Sequence, residues 1–183
     1  MAETPPYPYN IGIRYPVMPV PPTPEHCISI DAGAVRFVVE ARDLIEEVKR
    51  NRPAGSEVDV DAVQFNDFGA SLHVYGADDG IEHLRFDCFE KEPHYHYIKA
   101  DESANVICRL DDIAESDPIE WTVTRLQKRL PEMLDYAGAA EVAAAVRRDP
   151  TVVRGAVDQV HELLVEAQRR AHARRATGAT LAP

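Results

Sequence analysis

Phe86-Asp87-Cys88-Phe89-Glu90-Lys91-Glu92-Pro93-His94-Tyr95-His96-Tyr97 reads as the end of one strand, a polar turn, and the start of the next. Side chains alternate across a strand, so His94 and His96 share one face while Tyr95 and Tyr97 share the other. With residues 90–93 as the turn, Phe89 faces His94, Asp87 faces His96 and Arg85 faces Ile98. On the opposite face Cys88 meets Tyr95 and Phe86 meets Tyr97.

Folding back the preceding run, 70–76, with Ala77 opposite Ile81 extends the same pattern. Leu72 then lies beside Phe86, Val74 beside Leu84, His73 beside Arg85, Tyr75 beside His83 and Ser71 beside Asp87. A slip of one residue would set Val74 against His83 and break the apolar face, so the pattern selects this pairing. The result is a two-faced sheet. Leu72, Val74, Leu84, Phe86, Cys88, Tyr95 and Tyr97 form the packed face; His73, Tyr75, His83, Arg85, Asp87, His94 and His96 form the other.

Further strands are expected at 28–30 and 35–39 around the hairpin signal Asp31-Ala32-Gly33-Ala34, at 58–65 and at 105–110, with a short helix over 41–50. Short runs joined by short polar turns make an antiparallel meander, because parallel strands need crossovers of a dozen residues or more. Downstream, Asp117-Pro118 and Asp149-Pro150 are helix starts. Ile119, Val123, Leu126 and Leu130, then Val153, Val157, Val160, Leu164 and Ala167, follow at helical spacing, and Pro131 restarts the first helix. Strands followed by helices give an α+β class, a meander of about five to seven strands packed on C-terminal helices. The domain is expected over 27–175, with the sheet over 27–110, the helices over 117–175 and a disordered tail over 176–183.

Residues 1–26 form an extended arm crowded with Pro5, Pro6, Pro8, Pro16, Pro19, Pro21, Pro22 and Pro24. Proline excludes a helix or a central strand there. The arm carries too much apolar surface (Ile11, Ile13, Tyr15, Val17, Met18, Val20) for a solvated linker, so it is expected to lie along its own domain or a neighbouring subunit.

The second sheet face holds the chemistry. Two histidines at i and i+2 with a carboxylate across the ladder supply a facial nitrogen and oxygen set suited to zinc, iron or manganese, so His94, His96 and Asp87 are candidate ligands for a divalent metal. Arg85, with His83, His73 and Tyr75, is a candidate site for a small anion. Against both stands the plainer reading that such a face is polar because it meets water. His94-Tyr95-His96 matches the HxH of the cupin barrel, but Glu102 falls one or two residues too far downstream and no second histidine motif follows, so no cupin ligand is carried over. No glycine-rich phosphate loop, nucleophile elbow or HExxH occurs.

A net charge of -11 argues against nucleic acid or an anionic membrane surface as the partner, since both need a basic footprint. Cys27, Cys88 and Cys108 form no paired spacing, so reduced thiols in a cytoplasmic protein are expected. The chain shows no secretory signal pattern and no run long enough for a membrane span.

The twelve residues from Phe86 to Tyr97 resemble the FDxF…PHYHY signature of an uncharacterised bacterial family, a domain of unknown function, over about residues 28–135. The resemblance implies a bacterial, actinobacterial-type cytoplasmic protein and implies no activity. With no complete catalytic motif, the sequence favours a non-catalytic binding or assembly module with a protein partner or a homo-oligomer. A small metal-dependent enzyme or metal-binding protein using the histidine face is the alternative.

Overall fold

Val35-Arg36-Phe37-Val38-Val39-Glu40-Ala41-Arg42-Asp43 alternates apolar and polar positions as far as Arg42 with Val38 the exception, and the chain stays extended for that whole length. The computed structural model describes residues 11–50 and 66–177, the side chains of 48–50 excepted. The strand expected at 58–65 lies outside them, as do 1–10 and 178–183. Seven strands are described: β1 (Ile13–Tyr15), β2 (Cys27–Ala32), β3 (Val35–Asp43), β4 (Phe68–Gly76), β5 (Glu82–Phe89), β6 (His94–Lys99) and β7 (Ala104–Arg109). Their order is β1-β7-β6-β5-β4-β3-β2, and every neighbouring pair is antiparallel. The meander is therefore real, and the N-terminal strand closes onto its far edge. Gly33, at φ 67°, opens the two-residue turn between β2 and β3, a conformation that costs glycine little.

The helices follow in sequence. α1 (Leu44–Arg50) starts three residues later than the sequence expectation, because Glu40 and Arg42 belong to β3. α2 (Pro118–Lys128) is capped by Asp117, whose carboxylate accepts from Ile119 N at 2.9 Å and Glu120 N at 3.1 Å. α3 (Leu130–Ala137) restarts at Pro131, α4 (Ala140–Arg148) follows, and α5 (Pro150–Thr177) runs on past the expected end. α5 lies against β2, β3 and β4, while α3 lies against β5 and β6. Their apolar faces bury Leu72, Val74, Leu84, Phe86 and Cys88 together with Val157, Val160 and Leu164. Burial of each large aliphatic side chain is worth about 2 kcal/mol. No helix among the described residues is long and apolar enough to cross a membrane.

The other sheet face is crossed by the arm. β1 and β2 sit on opposite edges, six strand spacings apart, which is roughly 29 Å at about 4.8 Å per step. Residues 16–26 must cover that distance, and such a segment reaches roughly 40 Å at full extension, so little slack remains. Proline-rich sequence suits a segment held extended. The crossing is marked by four contacts: Asn105 Nδ2 donates to the Val17 carbonyl at 2.6 Å, Arg85 and Arg42 to the Val20 carbonyl at 2.8 and 3.1 Å, and Thr23 N to Glu40 at 2.7 Å. The described part of the arm packs on its own domain.

Candidate metal centre

β5 and β6 do not pair in the register expected from a four-residue turn. Asp87 stands opposite His94 and Arg85 opposite His96, a shift of two residues. The connection is longer because Phe89 and Glu90 stay with the preceding strand: Gly69 pairs with Phe89, and Glu90 N donates to Phe68 O at 3.2 Å. Pro93 has no N–H to offer a ladder. The buried Asp67 carboxylate then ties the loop by accepting from Lys91 N and, at 2.9 Å, from Glu92 N. An even shift keeps every side chain on its expected face, so the two-faced sheet survives the new register.

The shift sets one carboxylate between two imidazoles. Asp87 Oδ2 lies 3.1 Å from His96 Nε2 and 3.3 Å from His94 Nε2. Its other oxygen accepts from the Ser71 hydroxyl, and Arg42 Nη1 lies 3.6 Å away. Asp87 is 3% exposed and His96 6%, while His94 is half-buried. One ligand atom from each of Asp87, His94 and His96 falls within 4.8 Å of the others.

The partners of the Nδ1 atoms set the chemistry. His94 Nδ1 lies 2.7 Å from the Glu92 carbonyl oxygen, which can only accept. His96 Nδ1 lies 3.0 Å from Asn105 Oδ1, and the Asn105 amide is oriented by its donation to the Val17 carbonyl. Both imidazoles therefore carry hydrogen on Nδ1, and both Nε2 atoms point at a carboxylate oxygen. Three lone pairs converge, and they are reconciled by protons or by a cation. A metal-bound histidine characteristically gives its other N–H to a carbonyl or carboxylate, as both do here. Two donors about 2.1 Å from one ion at tetrahedral or octahedral angles lie roughly 3.0–3.4 Å apart, which is the spacing of each Nε2 from the Asp87 oxygen.

Burial pushes the Asp87 carboxyl up, but hydrogen bonds from His94 and His96 and the Arg42 charge outweigh it and hold it well below the carboxylate range. Burial alone would lower His94, yet the Asp87 bond and charge raise it. His96 is lowered, because deeper burial is not overcome by Asp87. The two imidazoles share one carboxylate and do not titrate alike.

A second network adjoins the first. His73 bridges Glu82 at 2.7 Å and Glu40 at 3.2 Å, and Arg85 grips both Glu82 oxygens, at 2.8 and 2.9 Å. Arg42 grips Glu47 in the same way and donates to the Val20 carbonyl at 3.1 Å. Burial would raise Glu82, but bonds from His73 and Arg85 bring its pKa down to about 2. Tyr75 stacks beside His73 and is pushed up to about 12 by burial and the Glu82 charge.

Of the anion-site candidates, Arg85, His73 and Tyr75 come together and His83 does not. A bulge at Val74/Tyr75 pairs Tyr75 with Glu82, leaving His83 bonded to Asp79 at 2.9 Å. Glu82 takes the place expected for His83, and Arg85 is spent on Glu82 and the arm. Sequence reasoning missed Glu40, Arg42, Glu47, Glu82 and Asn105. For Glu40 and Arg42 the signal was present: beyond Val39 the residues still alternate.

Between arm and sheet lies a pocket of about 640 Å³. Arg42, Arg85, Asp87, His94, His96 and Asn105 are among its polar lining, with Lys91, Glu92 and Arg109 further out, and Val17, Met18, Val20, Leu44, Phe89 and Ile107 are among its apolar walls.

Residues 29–164 match the family described as a domain of unknown function, DUF7700, and the chain belongs to that family. The match takes in Asp87, His94 and His96 and leaves out β1 and the arm. No curated protein and no solved structure matches the chain.

Proposed function

We propose that this protein binds a divalent transition metal (zinc, iron or manganese) through His94 Nε2, His96 Nε2 and Asp87, with its remaining coordination positions turned toward the small-molecule pocket. The observation that carries this reading is the convergence of two Nε2 atoms on one carboxylate oxygen while each Nδ1 lies against a carbonyl oxygen. Two histidines and one carboxylate leave positions free for water or substrate, the arrangement of catalytic rather than closed structural sites. Three unpaired cysteines, with Cys27 and Cys88 each pushed up to about 12 by burial, suit a reducing cytoplasm, and we place the protein there.

The direct test is elemental analysis of untagged protein purified without chelator, beside a folded His94→Ala/His96→Ala variant. One equivalent of metal in the parent and none in the variant is the expected result. Equal content in both, or metal in neither after reconstitution, overturns the assignment.

A second reading, an assembly module, is supported by Ile13 and Tyr15. Both are exposed on β1, whose outer edge has no strand partner among the described residues. Such an edge can extend a sheet into a second chain. A concentration-independent monomer by light scattering would remove it.

A further inference from the structure

The pocket beside the triad has a definite chemistry of its own. Its two deep guanidiniums are already matched: Arg42 on Glu47 and Arg85 on Glu82, each through two nitrogens, with a further donation to the Val20 carbonyl. At the rim Arg109 meets Glu92, and Lys91 Nζ donates to the Asn66 carbonyl at 2.7 Å. An anionic head group entering the pocket would compete with these partners for every arginine or lysine it met.

The walls differ. Ten large apolar side chains among the described residues are exposed, and five of them (Ile13, Tyr15, Val17, Met18 and Val20) line this pocket. The arm is held by its backbone, through the Val17 and Val20 carbonyls, which leaves those side chains free of polar duties. Phe89, buried at 3%, and the half-buried Leu44 continue the apolar lining. A cleft of this size and polarity suits a small molecule, with a few polar groups fixing its orientation.

We infer that the pocket takes an uncharged, largely apolar small molecule bearing one neutral nitrogen or oxygen donor. The donor completes the coordination of the metal, and the apolar body lies against the arm and Phe89. This inference rests on the metal assignment above.

The test uses the full chain loaded with cobalt(II), whose visible bands report its ligands. The metal-loaded protein is titrated with phenylimidazole, imidazole and benzoate. Phenylimidazole should perturb the bands at a concentration about tenfold or more below that needed for imidazole, since its ring leaves water for an apolar wall. Benzoate, of similar size but charged, should bind more weakly than phenylimidazole. In a Val17→Ser/Met18→Ser variant the phenyl advantage should shrink while imidazole binding holds. Phenylimidazole no better than imidazole, or benzoate as good as phenylimidazole, overturns the ligand class and leaves the metal site standing. Failure of the protein to bind cobalt(II) at all overturns both.

Discussion

Asp87 accepts from Ser71, faces two imidazoles and sits near Arg42, with almost no access to water except at the half-buried His94. Removing one member of such a buried set leaves the others desolvated without their counter-charge. Asp87→Ala should therefore lower the stability of the metal-free protein by about 3 kcal/mol, read by urea denaturation in the presence of chelator. Glu82 gives the matching pH prediction. Its folded pKa of about 2 lies below the ordinary 4.5, so the unfolded chain holds that proton more tightly. The stability it supplies is complete above about pH 4.5 and drains away as the pH falls from there toward 2, on the order of 3 kcal/mol in all. Glu82→Gln should flatten the acid limb of the stability profile in that window while lowering stability at neutral pH. A variant with the parent's acid limb would show that other carboxylates set it.

At the scale of elements, the arm and its strand wall the candidate site. A Cβ on Gly12 would come within 2.5 Å of the Ile107 carbonyl oxygen and 2.6 Å of Cys108 Sγ. Gly12→Ala must then push β1 off β7, and the β1 amides that face β7 should exchange faster with solvent while those of α5 keep their protection. The strands from β2 to β7 and their faces were legible from alternation, β1 was read only as extended arm, and Ser71, Leu72, His73 and Val74 paired as that pattern requires. What was not legible depended on the backbone. The two-residue shift between β5 and β6 follows from Asp67 binding the 90–93 loop, a contact twenty-odd residues away in sequence. The bulge that expels His83 and installs Glu82 leaves the hydrophobic pattern intact, so periodicity could not reveal it. For the candidate site, the three residue identities were readable, but their convergence on one oxygen came from the shifted register.

For the molecule as a whole, the helices pack one sheet face and the arm spans the other, so the polar face is a lined pocket rather than a wetted surface. An ion held there as proposed would tie arm and fold together, because an ion bound only by the folded state stabilises it by mass action. Chelator should lower the melting temperature of the parent by several degrees and leave the His94→Ala/His96→Ala variant unmoved. The most direct measurement is anomalous diffraction from crystals of the protein grown with one equivalent of zinc, collected at the zinc absorption edge. The account predicts a single strong peak within about 2.0–2.2 Å of His94 Nε2, His96 Nε2 and an Asp87 oxygen. No peak there, with both imidazoles hydrogen-bonded directly to Asp87, would contradict it.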